Sequence, residues 1–347
     1  MRASKQFVDG RFVNTWPSGA EVVPARGPAL ACLWGDPARR PGQPLPAFDP
    51  RERWLRGPQT GLRTTWLGHS TVLLEMDGRR VLTDPVWSTR ISPLSFAGPK
   101  RFQPVPVAIA DLPLLDVVLI SHDHYDHLDR ASVLALAALR VPFVTALGVG
   151  MHLAAWGIPA WQITELDWWE STTLPGGLTI TATPAHHSSG RALLGRNKTL
   201  WSSFALRSER HSVYFSGDTG LSPAFAEIGR RLGPFDLVML EVGAFHPSWA
   251  DVHLGPHKAL EAWSALGSGR LLPVHWGTFD LALHPWQEPA EMLLAHAPPG
   301  LVMPRLGESV EPAHVDGVTP WWRDLPAPRR SLDLAPAASE TGAADPP

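Results

Sequence analysis

The motif HDHYDH, at residues 122–127, places three histidines directly after a continuous apolar run. Side chains alternate in direction along an extended loop, so His122 and His124 point the same way and can bind one ion. Asp126 and His127 are displaced far enough to bind a second ion. The motif therefore predicts a metal site where a buried strand ends. The alternative is a polar loop with solvated histidines.

The residues around this motif alternate between strand and helix patterns. The apolar run DVVLIS at 116–121 is typical of a strand buried on both faces, and 129–140 has a helical pattern. Antiparallel strands come first, and strand and helix alternation follows, which predicts two packed sheets with helices outside. Further strands are predicted at 62–68, 71–76, 79–84, 178–183, 201–208, 212–217, 235–243 and 270–277, and further helices at 222–233 and 256–267.

Length alone leaves open one large domain or two ordinary ones. Residues 1–60 are rich in Pro and Gly without a sustained period, which predicts an arm packed on the core. Residues 61–323 form the predicted domain, because the candidate ligands within it must meet at one site. Residues 324–347 are rich in Ala and Pro, and we expect a disordered tail there.

Charge and cysteine content exclude several classes of protein. The 347 residues carry 30 basic and 33 acidic side chains, well mixed, so there is no basic stripe for a nucleic acid. The single cysteine, Cys32, excludes an internal disulfide and a cysteine-based metal cage. Any bound metal must therefore be held by carboxylates and by some of the 15 histidines.

The hydropathy pattern predicts an intracellular protein that is soluble or peripheral to a membrane. No apolar run approaches the roughly 18 residues of a membrane span. The first residues, MRASKQFVDG, are polar where a signal peptide has its apolar region.

Three further ligands are predicted at strand ends. His187 follows the predicted strand 178–183, Asp218 lies in SGDTG after another strand, and His275 closes RLLPVHWG. Taken singly, SGDTG could be an ordinary turn, and His275 a core histidine with satisfied hydrogen bonds. Their common position after strands favours a shared metal site.

The motif resembles the HxHxDH signature of the metallo-β-lactamase fold superfamily. Longer blocks are similar to those of the N-acylphosphatidylethanolamine-hydrolysing phospholipase D family (NAPE-PLD-like proteins), and the likeness covers roughly residues 5 to 310. The blocks are WLGHSTVLLEMDGRRVLTDPVWS, GPKRF, VLISHDHYDHLD, ELDWWE, SGDTG, SPAFAEIGRRLGPFDL, GAFHPSW, VHWGTF and, in the arm, RFVNTWPSG. The resemblance implies a single α/β (α+β) domain, a four-layer αββα metallo-β-lactamase sandwich.

The resemblance also implies two zinc ions, with iron or manganese as alternatives. It assigns one ion to His122, His124 and His187. It assigns the other to Asp126, His127 and His275, and Asp218 bridges the two. The implied chemistry is hydrolysis by a hydroxide shared between the metals, which lower the pKa of water towards neutrality. No serine or cysteine nucleophile is then needed, and Cys32 is expected to be inert packing.

Other residues are assigned with alternatives left open. The resemblance implies catalytic roles for Asp126 and His253, with His253 donating a proton to the leaving oxygen. His69 is expected to be either near the substrate or a structural histidine. His186 and Asp123 depart from the mammalian pattern of glutamine and asparagine at the rim of the cleft. The remaining candidates for contact with substrate are Lys100, Arg101 and Trp249. Further candidates for a lipid groove are Trp16, Trp87, Trp168 and Trp169. The alternatives are a solvated loop for the basic residues and core packing for the tryptophans.

The implied function is phospholipase D-type hydrolysis of N-acylphosphatidylethanolamine or a related glycerophospholipid. The products are a phosphatidic acid and an N-acylethanolamine. The alternatives are a lactonase of the ascorbate-phosphate type and a metal-binding scaffold without catalysis. A nuclease lacks the necessary basic surface, and a di-iron redox protein would carry a carboxylate at one of these histidine positions.

The expected partners follow from this substrate. We expect a phospholipid or other phosphodiester, a peripheral contact with the inner membrane surface from the cytoplasm, and no nucleic acid. A homodimer is an open alternative to a monomer.

Overall fold

The structure is a computed structural model that describes residues 4–17, 36–191, 196–246, 251–296 and 298–325. In chain order its strands are β1 (Phe7–Val8), β2 (Arg11–Phe12), β3 (Leu62–Gly68), β4 (Thr71–Met76), β5 (Arg79–Thr83), β6 (Val117–Ile120), β7 (Phe143–Ala146), β8 (Ile163–Leu166), β9 (Ser171–Thr173), β10 (Thr179–Pro184), β11 (Ser202–Arg207), β12 (Ser212–Phe215), β13 (Leu237–Glu241), β14 (Arg270–Val274) and β15 (Ser309–Val310). The α-helices are α1 (Arg51–Trp54), α2 (Arg130–Ala138), α3 (Gly150–Ala155), α4 (Ala224–Leu232), α5 (Gly255–Ala265) and α6 (Glu288–His296).

The described strands form two large sheets and the small β1–β2 hairpin. One sheet has the order β15-β3-β4-β5-β6-β7-β8, and the other has the order β14-β13-β12-β11-β10-β9. Each sheet combines antiparallel pairs with a parallel run, β5-β6-β7-β8 in the first and β12-β13-β14 in the second. The strands and helices predicted from the sequence are all present, with ends displaced by a few residues.

The strand before the HDHYDH motif is buried on both faces, as its apolar run predicts. Val117 and Leu119 belong to the core cluster that also contains side chains of the second sheet. Val118 and Ile120 pack in a separate cluster together with Leu136 of α2. Helices α4, α5 and α6 contribute to the first cluster from the other side of the second sheet. The predicted four-layer αββα sandwich is confirmed.

The sheets place several strand ends at one edge of the sandwich. Strands β5 and β6 are parallel, and so are β12, β13 and β14, so their carboxyl ends lie on the same side within each sheet. Strand β10 runs in the direction of β12, because both pair antiparallel with β11. Polar residues that follow these strands are therefore brought towards one another.

The ends of the chain are described only in part. The arm is described at 4–17 and from 36 onwards, where the backbone of Phe48 donates to Leu306. Cys32 and nearly all of the predicted tail, 326–347, lie outside the described residues. Among the helices of the described part, none is long and apolar enough to cross a membrane.

The predicted Asp77-Gly78 turn joins β4 to β5, and it also links the two sheets. Asp77 and Gly78 have φ values of 47° and 79°, the left-handed conformation that a two-residue hairpin of this type requires. The Asp77 carboxylate accepts hydrogen bonds from the turn between β11 and β12: from Ser208 Oγ, the Arg210 backbone and the His211 ring. Burial opposes ionisation, but these donors outweigh it and hold the pKa of Asp77 well below its ordinary value.

Replacing Asp77 by Asn is expected to destabilise the protein by about 1–3 kcal/mol at pH 7, because charged hydrogen bonds between the sheets are lost. The folded-state pKa is depressed, so this contribution is present above the unfolded pKa of about 3.9 and is lost as the pH falls towards the folded value. Urea unfolding should therefore show a difference between wild type and variant that narrows below about pH 4.

The matched control is Asp316→Asn, at an exposed position, with an expected change below about 0.5 kcal/mol. An Asp77→Asn variant as stable as the control at pH 7 would show that the turn does not stabilise the contact between the sheets.

Candidate metal centre

The strand ends bring the predicted ligands into one cluster. Within each of three groups in this cluster, the candidate ligand atoms lie within 4.8 Å of one another. The groups are His122, His124 and His187; His69, Asp126, His127 and His275; and His122, His127 and Asp218.

The first group contains three imidazoles from two segments. Nδ1 of His124 lies 2.9 Å from Nε2 of His122 and 3.3 Å from Nε2 of His187. The Nδ1–H of His187 donates to the carbonyl oxygen of Val252 at 2.9 Å, which leaves its Nε2 for a ligand. Three neutral imidazole nitrogens at such spacing suit a zinc ion with an open fourth position.

The second group combines the carboxylate of Asp126 with three imidazoles, of which His127 and His275 are predicted ligands. Oδ2 of Asp126 lies 3.5 Å from Nε2 of His127 and 3.3 Å from Nε2 of His275. His275 follows β14 and His127 belongs to the motif after β6, so one residue comes from each sheet. This site therefore depends on the packing of the two sheets.

Asp218, after β12, lies between the two groups. Its Oδ2 is 3.1 Å from Nε2 of His127 and 3.2 Å from Nε2 of His275. The same oxygen is 3.7 Å from Nε2 of His187 and 3.9 Å from Nε2 of His122. One carboxylate thus reaches both groups, which is the arrangement a bridging ligand requires.

Hydrogen bonds from a second carboxylate orient two of the imidazoles. Asp84, just after β5, accepts from Nδ1–H of His127 at 2.7 Å and from Oγ of Ser121 at 2.6 Å. Because the Ser121 hydroxyl donates to Asp84, its oxygen can accept from Nδ1–H of His122, 3.0 Å away. Both rings are thereby held with Nε2 towards the cluster, as is usual for metal-binding histidines.

The two carboxylates of the cluster are ionised and draw positive charge to it. Burial favours their neutral form, but the nearby imidazoles, His127 first, hold the pKa of Asp126 and Asp218 well below its usual range. Burial alone would lower the pKa of His275, but the nearby carboxylates outweigh burial and raise this pKa to about 10. The carboxylates raise the pKa of His127 in the same way. The same field favours a bound cation.

The other imidazoles have the neutral form that metal binding needs. Burial lowers the pKa of His122, His124 and His187. Burial, followed by the charge of His275, lowers the pKa of His69 to about 3. A neutral imidazole has a free lone pair, so no proton has to be displaced before an ion binds.

Several atoms of the cluster have no hydrogen bond with the described residues. They are Nε2 of His127, both ring nitrogens of His275 and Oδ1 of Asp218, and all are buried. Buried polar atoms are normally paired, because an unpaired one costs free energy. Nitrogen and carboxylate donors that converge without partners fit divalent cations of the zinc class.

His253 lies beside the cluster and is held by a buried glutamate. Its ring centroid is 5.0 Å from that of His187 and 5.5 Å from that of His275. Nδ1 of His253 lies 2.7 Å from Oε2 of Glu241, the last residue of β13. Together with Asp218 and His275, these two residues form a fourth group that could hold a metal ion.

The other predicted residues are placed differently. His69 is in the cluster, and its Nε2 lies 3.1 Å from Oδ2 of Asp126. Arg101 is buried and donates to the backbone oxygen of Val86, so its guanidinium is engaged within the fold. Lys100 is exposed, and Trp249 lies outside the described residues.

The two departures from the mammalian pattern are buried below the rim. His186 and Asp123 are 2% and 3% exposed, so the prediction that they lie at the rim itself is wrong. The carboxylate of Asp123 accepts from the backbone of Gly190 at 2.7 Å and lies 3.2 Å from Nε2 of His152. The carboxylate of Asp123 is therefore committed to the loops around the cluster, and the backbone N–H of His186 donates to Oγ1 of Thr219 at 2.8 Å.

The tryptophans proposed for a lipid groove mostly support the core. Trp168 is 7% exposed, and Trp16 and Trp169 are partly buried against the core. Trp87 packs on the helical layer and donates from Nε1 to Val107. Among the described residues, these rings do not provide an exposed aromatic groove.

A cleft of about 750 Å³ opens beside the HDHYDH loop. Tyr125 of the motif lines it together with Arg90, Arg130 and Arg191. The guanidinium of Arg191 lies 4.0 Å from the centre of the Tyr125 ring. The cleft therefore lies next to the motif through Tyr125, and its lining carries three arginines and one carboxylate, Asp129.

Asp84 and Glu241 are absent from the ligand set inferred from the sequence. Each is an acidic residue at the carboxyl end of a strand, β5 and β13 respectively, as Asp218 is after β12. That position alone does not distinguish either residue from an ordinary turn acid, because neither lies in a motif with further histidines.

Comparisons with known proteins agree with this geometry. The profile of the Beta-lactamase superfamily domain matches residues 79–276. An uncharacterized protein of Mycobacterium tuberculosis is 47% identical over 92% of this chain and 88% of its own length. The N-acyl-phosphatidylethanolamine-hydrolyzing phospholipase D 1 of Caenorhabditis elegans is 42% identical over 64% of this chain, and the match spans only 66% of that enzyme. The structure of Igni18, a metallo hydrolase from Ignicoccus hospitalis, has a TM-score of 0.55 and 25% identity, covering 72% of this chain and 97% of that chain.

Replacing His122 or Asp218 by Ala is expected to lower the metal content of the purified protein. A lost ligand should weaken binding by more than the roughly 10–100-fold that changes in outer hydrogen bonds cause. The measurement is metal per chain by inductively coupled plasma mass spectrometry after loading with zinc and dialysis. The Asp218→Ala variant should lose the most metal, because that carboxylate reaches both groups of ligands.

His257→Ala is the matched control, since His257 is exposed at the start of α5. It should retain the wild-type metal content. Full metal content in the Asp218→Ala variant would contradict the assignment of Asp218.

Proposed function

The chain belongs to the Beta-lactamase superfamily and is a metal-dependent hydrolase, and we propose that it is a binuclear zinc phosphodiesterase of the phospholipase D type. The proposed substrate is N-acylphosphatidylethanolamine or a related glycerophospholipid, cleaved to a phosphatidic acid and an N-acylethanolamine. The observation that supports two ions is the carboxylate of Asp218 between two separate groups of ligands.

The ligands have distinct tasks in this proposal. His122, His124 and His187 would hold one ion, and Asp126, His127 and His275 the other, with Asp218 between them. When bound, two such ions polarise a phosphoryl oxygen and lower the pKa of water towards neutrality, which supplies the nucleophile.

The outer residues keep these side chains in place. Asp84 holds His127 through Nδ1, and Ser121 holds His122 through Nδ1. Nε2 of His69 donates to Oδ2 of Asp126, which restrains that carboxylate. Each contact reduces the number of orientations that a ligand can adopt, so the donors are arranged before an ion arrives.

His253 is the proposed proton donor. Nδ1 is committed to Glu241, so Nε2 is the nitrogen left for the substrate. As the bond between phosphorus and the leaving oxygen breaks, the Nε2 proton passes to that oxygen and the alcohol departs neutral.

The cleft beside the motif supports an anionic substrate. Arg90, Arg130 and Arg191 line it together with the single carboxylate of Asp129, so the net positive charge of the lining would attract a phosphodiester. Lys100, exposed nearby in the chain, adds to the basic character of this region. Peripheral attachment to the cytoplasmic face of a membrane is the proposed way to reach such a lipid, and a homodimer stays a prediction.

A substrate panel tests the proposed reaction. The zinc-loaded protein should convert N-acylphosphatidylethanolamine in mixed micelles to phosphatidic acid and N-acylethanolamine, measured by liquid chromatography and mass spectrometry. The Asp218→Ala variant is the control for contaminating activity. If the lipid is left intact while a sugar-phosphate lactone is hydrolysed, the lactonase alternative replaces this proposal. Hydrolysis of a thioester with the lipid left intact would also contradict it.

Replacing His253 by Ala is expected to leave the metal content near normal and to lower kcat by about 10²–10⁴-fold, the usual contribution of a proton donor. Metal analysis and steady-state kinetics on the same preparation measure both. Loss of metal would instead place His253 among the ligands, in the group with Asp218 and His275.

A further inference from the structure

Glu241 is a completely buried carboxylate within an otherwise apolar strand, LVMLE. It is 0% exposed, and both of its oxygens are used. Oε1 accepts from the backbone N–H of Thr219 at 2.8 Å and of Leu254 at 3.2 Å, while Oε2 lies 2.7 Å from Nδ1 of His253. Burying a charge is costly unless it is paired and hydrogen-bonded, so a glutamate here calls for a reason beyond packing.

The contacts of Glu241 join two segments that carry functional residues. Thr219 follows Asp218 directly, and Leu254 follows His253 at the entrance to α5. The carboxylate therefore holds the backbone beside the bridging aspartate and the backbone beside the proposed proton donor. Only its contact with His253 reaches a side chain that can take part in proton transfer.

We propose that Glu241 is a positioning residue that fixes the tautomer and direction of the His253 ring. A carboxylate can only accept, so Nδ1 of His253 must carry a hydrogen, and the ring cannot turn over without losing that bond. Nε2 is then kept towards the reacting centre. The idea rests on the proposed function of His253 and extends it by naming the residue that directs the proton.

The proton balance is simple. The hydrogen on Nδ1 stays in its bond with Glu241 throughout. The ring carries a hydrogen on both nitrogens before the step, and the hydrogen on Nε2 moves to the leaving oxygen as its bond to phosphorus breaks. The oxygen of water forms the new bond to phosphorus, and the proton that this water releases restores the hydrogen on Nε2 after the alcohol has left. Glu241 touches no reacting atom, so it acts only through His253.

The variant Glu241→Gln separates this role from a structural one. A glutamine oxygen can still accept from the Thr219 and Leu254 amides, but its NH₂ group then faces Nδ1 of His253 and can only donate. Nδ1 must then lose its hydrogen or the ring must move. Glu241→Asp, which keeps the charge and shortens the side chain, is the second variant in case the first fails to fold.

Histidine NMR of the zinc-loaded full chain measures the tautomer directly. With ¹⁵N-labelled histidine, the His253 signals are those missing from His253→Ala. Wild type should show a hydrogen on Nδ1, and Glu241→Gln should lose or shift that signal, whereas Glu227→Gln on α4 should not. Identical His253 signals in wild type and Glu241→Gln would overturn the proposal.

Kinetics test the consequence. Glu241→Gln should lower kcat for a lipid phosphodiester, whose alcohol needs a proton, by about 10–100-fold with KM within about twofold. For bis(4-nitrophenyl) phosphate, whose phenolate leaves unprotonated, the same substitution should lower kcat by a smaller factor. The double variant Glu241→Gln/His253→Ala should be no slower than His253→Ala, because the glutamate acts through that ring.

The outcomes keep the two proposals apart. A positioning role would be contradicted by any of three results. These are an equal fall in kcat on both substrates, additive falls in kcat in the double variant, or loss of metal from Glu241→Gln. If the wild type hydrolyses neither phosphodiester, the proposed function fails, and the NMR comparison still decides whether Glu241 sets the tautomer of His253.

Discussion

The buried carboxylate of Asp218 is the constraint on which the rest of the site depends. One of its oxygens lies 3.1 Å from His127 and 3.7 Å from His187, so a single side chain belongs to both groups of ligands. A charge in such a place is tolerable only when positive charge surrounds it. The fold meets this requirement by collecting imidazoles from the ends of strands in both sheets, and a divalent cation would meet it more fully.

The outer hydrogen bonds turn a cluster of donors into an ordered site. Asp84 fixes His127, and Glu241 engages His253, each through the nitrogen that points away from the centre or from the substrate. Glu241 ends β13 and Asp84 directly follows β5, so the sheets set their positions. The same edge therefore supplies ligands, their supports and the proposed proton donor, and the basic cleft lined by Arg191 opens beside it.

The sequence was most informative where the spacing of residues and their place after strands agreed. HDHYDH, Asp218 and His275 could be predicted together because each follows an apolar run, and the two-sheet fold follows from the same alternation. Glu241 could not, since an isolated acid at the end of a strand has no pattern to distinguish it from a turn residue. In the sequence Arg101 has the pattern of an exposed basic loop residue, yet it is buried and donates to the backbone oxygen of Val86. That contact depends on the tertiary fold, so no local pattern predicts it.

We propose that this chain binds two ions through one shared carboxylate, that of Asp218. Anomalous diffraction at the zinc edge, from crystals of the zinc-loaded protein, tests it most directly. Two peaks are expected about 3.5–4 Å apart on either side of the Asp218 carboxylate, the usual separation in two-metal sites. A single peak, or two peaks of which neither contacts Asp218, would contradict it.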